Sequence, residues 1–260
     1  DIIVLKNNKG TEDNRVRKLD YSIQLSKLFY ERFIKDEDIT LFSPHDVPDL
    51  YDAFGTDKFD ELYEKYERAY SIPKKKINAR TLFMDMLKER AETGRIYIMN
   101  VDHSNSHSSF LDKVNMSNLC QEITLPTTPI SHPDDEDGEI ALCILSAINV
   151  GSIKLEELPE LCDIAVRGLD ELIDYQRYPV RAAEVSTKAR RSLGIGYIGL
   201  AHYLAKNKAE YGSEESLNLV HELTEEFQYS LIKASVQVAK EKGKNDWHHK
   251  TKYAKGILPV

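Results

Sequence analysis

Apolar residues recur at intervals of three and four across residues 16–35, at Val16, Leu19 and Ile23, then at Leu25, Leu28, Phe29 and Phe33. That spacing predicts an amphipathic helix. Ile39-Thr40-Leu41-Phe42 reads as a short buried strand, stopped by Ser43-Pro44. A highly charged helix is predicted over about 58–70, and another over 79–93, ended by Gly94. Arg95-Ile96-Tyr97-Ile98-Met99-Asn100-Val101 is the clearest strand, running into a polar loop at 102–108. Residues 117–123 alternate polar and apolar, which predicts an extended segment. Residues 126–138 hold three prolines and the acidic run 134–137, and read as turns. Residues 140–145 are apolar enough for a buried strand, and the rest is predicted helical over about 155–176, 187–206 and 214–242. No internal repeat interrupts the pattern. Strands alternating with helices predict an α/β architecture with a largely parallel core.

Composition narrows the function classes. The chain has 260 residues, enough for one large or two ordinary domains with a substantial core. Its 41% hydrophobic and 30% charged residues describe a soluble globular protein. A net charge of -8 argues against holding nucleic acid by bulk electrostatics. No apolar run is long enough to span a bilayer, and no secretory signal opens the chain, so no membrane role is expected. Three cysteines without a disulfide-scaffold spacing point to a reducing, cytoplasmic compartment. The chain starts at Asp1 without a methionine and stops at Val260, so both ends read as cuts through a longer protein.

The candidate chemistry centres on Ser117-Asn118-Leu119-Cys120-Gln121-Glu122-Ile123. In an extended segment Asn118, Cys120 and Glu122 share one face. A thiol flanked by an amide and a carboxylate suits a reaction centre, although a strand with a chance cysteine would look the same. Cys143 lies on a predicted strand after a turn-rich connection that could return it beside Cys120. Two thiols near a carboxylate allow redox as well as nucleophilic chemistry. Nucleophilic cysteine catalysis usually needs a histidine base, and no recognisable signature supplies one, which leaves one-electron chemistry at Cys120 open. Cys162 sits among apolar helix neighbours and reads as a core residue. His103 and His107 are four apart, but no cysteine or glutamate completes a ligand set, and no metal site is assigned. His248 and His249 read as solvated, and the acidic run 134–137 lacks the calcium-loop spacing. Gly194-Ile195-Gly196-Tyr197-Ile198-Gly199 matches the dinucleotide fingerprint in letters. The residues before it are basic and not strand-like, so glycines that permit close approach are the better explanation.

Asn118-Leu119-Cys120-Gln121-Glu122, preceded by Ser117, resembles the finger-loop motif of class I ribonucleotide reductase large subunits, particularly the aerobic Ia-type enzymes that reduce diphosphates. The segments 5–10, 14–17, 38–44, 94–98, 138–146, 191–196 and 253–259 resemble that family in the same order, so the similarity covers essentially the whole chain. It implies that residues 1–260 are the central segment of a ten-stranded α/β barrel made of two antiparallel halves, with a finger loop near 115–125 threaded through its centre. It implies that Cys120 is the thiyl radical that abstracts the ribose 3′ hydrogen, and that Glu122 is the base for the 3′ hydroxyl. Asn118 would hydrogen-bond the substrate hydroxyls, Leu119 and Gln121 would contact the substrate with them, and Cys143 would be one half of the reducing dithiol.

The same resemblance implies that this chain binds no cofactor itself. The radical would come from a di-iron small subunit, electrons from a thioredoxin- or glutaredoxin-type reductant, and ATP and deoxynucleotide effectors would bind parts of the large subunit beyond this chain. The cysteine that pairs with Cys143, the phosphate-binding loop, the radical-path tyrosines and the C-terminal shuttle cysteines would also lie on those remaining segments. The substrate would be a ribonucleoside diphosphate, reduced for DNA synthesis, and the chain alone is expected to be inactive. Two other readings stand beside this one: a non-catalytic piece that completes a split assembly, and a nicotinamide-binding oxidoreductase, which requires a strand just before Gly194.

Overall fold

Ser26 marks the first boundary in the computed structural model, which describes residues 21–257. Its hydroxyl accepts the Phe29 N–H and caps helix α1 (Lys27–Lys35). The residues before it, Tyr21–Leu25, are a strand, β1. The helix expected over 16–35 is therefore two elements. Serine terminates a helix more readily than it continues one, and Ile23 and Leu25 follow the two-residue period of a strand. Residues 16–20, the motif segments 5–10 and 14–17, and the end of the segment 253–259 lie outside the described residues.

The described residues form two compact units, one comprising residues 21–126 with Ile257 and the other residues 127–256. In the first, α1 is followed by β2 (Asp38–Phe42), α2 (Pro48–Ala53), α3 (Phe59–Arg68), β3 (Lys74–Asn78), α4 (Ala79–Thr93), β4 (Ile96–Asn100) and α5 (Val101–Ser106). β1 runs parallel to β4, from Tyr21 opposite Ile96 to Leu25 opposite Asn100, and β2 runs antiparallel to β3. Gly94, at φ 67°, ends α4 in the left-handed region that glycine enters without strain, as the sequence predicts. The loop expected at 102–108 is instead largely α5. Asp102 in its first turn complements the helix dipole and accepts the Lys27 N–H at 2.5 Å.

Leu25, Phe29, Ile39, Phe59 and Tyr63 build this unit's core, with Phe83 set edge-on against Phe29 and Phe33 at 5.9 and 5.1 Å between ring centres. The Tyr63 hydroxyl accepts the Thr40 N–H at 2.6 Å and donates to the Thr40 carbonyl at 2.7 Å. Beside it Arg32 grips Glu67 with two bonds of 2.7 and 2.6 Å, and the Thr40 hydroxyl adds a third at 2.5 Å. Hydrogen bonding from Arg32 holds the Glu67 carboxyl down at about 2. A carboxylate depressed in the folded state contributes stability that is present above its unfolded value and is lost as pH falls through the folded one. Acidification from about 4.5 to about 2 is thus expected to remove roughly 2 kcal/mol from this unit after allowance for partial exposure. In Glu67→Gln that acid-dependent component disappears, as urea midpoints measured across this pH range will show; an unchanged slope would remove Glu67 as its source.

The second unit contains β5 (Leu145–Asn149), α6 (Leu158–Tyr175), α7 (Arg181–Arg190), β6 (Gly194–Ile198), α8 (Leu200–Lys206) and α9 (Glu214–Lys242). β5 and β6 are parallel, with Leu145 opposite Gly194 and Asn149 opposite Ile198. Leu158, Cys162, Leu223 and Phe227 bury one part of its core, and Ile144, Leu169 and Ile173 another. Cys162 is thus the core residue expected of it, and burial pushes its thiol up to about 11.

Two expectations fail in this unit. The strand predicted at 140–145 begins only at Leu145, because the residues before it are tied elsewhere: Glu139 exchanges two backbone bonds with Thr128, and the Ile140 carbonyl accepts the Ser186 hydroxyl. The helix predicted over 187–206 is cut into α7, β6 and α8. Arg191 turns left-handed at φ 50°, held by Asp170 at 2.6 Å and Asp174 at 2.9 Å, and the glycines that follow are poor helix formers.

Glu139 and Arg190 form a buried ion pair at 2.6 Å, with side chains 8% and 5% exposed. Lys250 lies 3.3 Å from the same carboxylate, and the Trp247 ring packs beneath both cations. The class is mixed α/β. Two of the three sheets are parallel, but the six strands among the described residues pair only two by two and do not close.

Candidate active site

The candidate residues lie on the long loop after α5, and Asn105 anchors its base. Its side chain donates to the carbonyls of Val101 and Val114 at 2.9 and 3.1 Å and accepts the Val114 N–H at 2.8 Å. Gly55 lies against this anchor; a Cβ there would come within 2.6 Å of Val101 and 3.0 Å of the Asn105 amide. Glycine is required at this approach.

Residues 117–123 form a turn, not the extended segment predicted from their alternation. The Asn118 carbonyl accepts the Gln121 N–H at 3.1 Å, and its side-chain oxygen accepts the Ile123 N–H at 3.2 Å. Asparagine offers the backbone a local partner in place of a strand ladder. Gln121 and Thr124 consequently sit at φ 66° and 51°. The Ser117 hydroxyl donates to Asn118 at 2.9 Å and accepts the Leu125 N–H at 3.0 Å.

The turn still brings the amide to the carboxylate. Asn118, 2% exposed, donates to Glu122 at 2.7 Å, while Glu122 itself remains exposed. Asn118 and Glu122 meet by chain reversal and not by sharing one strand face. Cys120 stands at the exposed tip between them, and its sulfur receives the Tyr97 hydroxyl at 3.9 Å. Gln121 donates to Ser22, and Gln24 to the Asn115 carbonyl, so β1 holds the same loop. Asn118, Leu119, Gln121, Tyr97 and Ser22 line a cleft of about 400 Å³. The arrangement offers an exposed thiol, a carboxylate oriented by a buried amide, and a cavity roomy enough for a small organic molecule.

Tyr97 and Ser22 are the members that sequence reasoning missed; Tyr97 offered only a polar tip between two aliphatic residues of a strand. Cys143 is an exposed thiol in the second unit, just ahead of β5. His103 on α5 and His107, the residue that caps its C-terminus, have ring centres 5.7 Å apart. Among the described residues no group of three or more histidine, cysteine, aspartate or glutamate side chains could hold a metal ion. No helix there is long and apolar enough to cross a membrane.

The nicotinamide reading is overturned. Helix α7 precedes the glycine motif, and Gly194–Ile198 is itself a strand, so no strand delivers a phosphate loop to a helix N-terminus. Gly199 serves close approach: a Cβ there would lie 2.2 Å from the Asn149 side-chain oxygen.

All of residues 1–260 match the family model "Ribonucleotide reductase, barrel domain". The ribonucleoside-diphosphate reductase subunit alpha of Haemophilus influenzae is 56% identical over the whole chain, which covers 35% of that relative. The ribonucleoside-diphosphate reductase 1 subunit alpha of Escherichia coli is 55% identical and the ribonucleoside-diphosphate reductase subunit alpha of enterobacteria phage T4 is 44% identical, each over the whole chain and 35% of the relative. The chain thus spans about a third of the length of the curated relatives it matches.

Proposed function

This chain belongs to the ribonucleotide reductase barrel-domain family, and from that premise we propose that it is the central part of a class I ribonucleoside-diphosphate reductase large subunit. In that role it reduces ribonucleoside diphosphates to deoxyribonucleoside diphosphates for DNA synthesis. The observation that carries the reading is the turn that presents Cys120 while Asn118 orients Glu122 at 2.7 Å beside an open cleft. On this reading residues 1–260 contribute to a ten-stranded barrel completed by the remainder of the subunit, with residues 115–125 as its finger loop.

Each residue has a part that its chemistry suits. Cys120, as a sulfur radical, takes the 3′ hydrogen atom of the ribose and returns it at the end of the cycle. Glu122 accepts the 3′ hydroxyl proton, a task that suits a carboxylate general base. Asn118 is neutral and directs hydroxyl groups without adding charge, and Leu119 and Gln121 bound the sugar site. Cys143 is half of a dithiol whose oxidation to a disulfide supplies two electrons, while the 2′ hydroxyl leaves as water. A di-iron small subunit supplies the radical, and a thioredoxin- or glutaredoxin-type protein re-reduces the disulfide. ATP and deoxynucleotide effectors act on other parts of the large subunit, and the assembly works in the cytoplasm.

The test is reconstitution of the full-length large subunit with its small subunit and reductant. The native enzyme is expected to form deoxynucleoside diphosphate over many turnovers. Cys143→Ser keeps hydrogen abstraction at Cys120 but lacks the disulfide-forming partner, so base release replaces product and multiple turnover is lost. Normal turnover by that variant with a thioredoxin-type reductant would leave Cys143 as an ordinary surface residue.

A further inference from the structure

We propose that Tyr97, assisted by Ser22, is a positioning residue for the Cys120 thiol, acting through the hydrogen bond its phenol donates to the sulfur. The inference rests on the reaction proposed above and adds the means by which its thiol is aimed. Ser22 on β1 and Tyr97 on β4 are register partners, directly opposite one another in the parallel pair. They reach two consecutive residues of the turn: Tyr97 donates to Cys120 at 3.9 Å, and Ser22 accepts the Gln121 amide. One cross-strand pair thus grips the tip of the loop at adjacent positions.

The turn needs such a hold. Gln121 and Thr124 occupy the left-handed region, which non-glycine residues leave unless their surroundings fix them. Asn118 secures the turn from within through bonds with Ser117, Gln121, Glu122 and Ile123, and none of these engages the sulfur. A donor on the sulfur occupies a lone pair and leaves the thiol's own hydrogen free to exchange with a substrate. The Tyr97 side chain also lines the cleft, so the group that aims the thiol belongs to the wall against which a substrate would rest.

Tyr97→Phe in the full-length large subunit, assayed with its small subunit and reductant, separates aiming from binding. The ring remains and only the donor is lost, so kcat is expected to fall about tenfold while KM for the diphosphate stays within about twofold. Ser22→Ala, which leaves the tyrosine intact, lowers kcat about threefold. A second readout needs no turnover. Without the donor the sulfur is free to leave its rotamer, so the rate at which iodoacetamide modifies Cys120 should change at least about threefold in Tyr97→Phe at fixed pH. Cys143 provides the internal control and should react at an unchanged rate, with both sites followed by peptide mass spectrometry. An unchanged rate of modification at Cys120 would overturn the proposal. A changed rate in Tyr97→Phe, together with a native subunit that forms no deoxynucleotide, would instead overturn the reductase reading and leave the contact standing.

Discussion

Replacing Cys120 by serine in the full-length large subunit is expected to lower deoxynucleotide formation at least about a thousandfold, with no loss of folding. The substitution is nearly isosteric, so it leaves no sizeable cavity. The serine hydroxyl can accept the same Tyr97 donor, and the bonds from Asn118 to Glu122 and Ile123 do not involve the sulfur. What changes is the strength of the bond to hydrogen. An alkoxyl O–H exceeds a thiol S–H by well over the roughly 4 kcal/mol that a thousandfold change in rate requires. Serine therefore cannot be converted to a radical by the same oxidant. Circular dichroism and melting should match the native subunit, and product formation within about tenfold of native would sink the assignment of Cys120.

In the second unit, Glu139→Ala is expected to cost about 3 kcal/mol or more. Arg190, 5% exposed, would lose its carboxylate while its guanidinium stayed inside, and Lys250 would lose the same partner. Charge left in a poorly solvated place is penalised more heavily than the pair itself contributes. The companion experiment is the double substitution Glu139→Leu with Arg190→Met, which removes both charges at roughly constant volume and should recover most of the loss. Urea unfolding of the 260-residue chain gives both values. A single-mutant loss below about 1 kcal/mol, the range of exposed pairs, would mean that solvent reaches the site.

The elements legible in the sequence were those with a clear period and a chemical stop. α4 carries a helical pattern and ends at Gly94, and β2 ends before Ser43-Pro44. β6 was hidden because the basic run before it looks helical, and the residue that breaks that helix, Arg191, does so through carboxylates about twenty positions away. The same limit governs the site. Asn118, Cys120 and Glu122 were found together because they are neighbours in sequence, though alternation gave the wrong shape. Tyr97 lies 23 residues from Cys120, and Ser22 lies 99 from Gln121. No local period reports contacts of that range. The parallel pairing of β1 with β4 creates them, and parallel pairing is specified by what lies between the strands.

Tyr63 has a consequence for how the first unit can grow. In the β2–β3 ribbon Thr40 lies opposite Lys76, at a position where antiparallel strands exchange no bonds, so its N–H and carbonyl face the outer margin. Both are taken by the single Tyr63 hydroxyl. That hydroxyl stands where a third strand would have to dock, and the ribbon is thereby sealed on that side against strand addition from its own chain or from another.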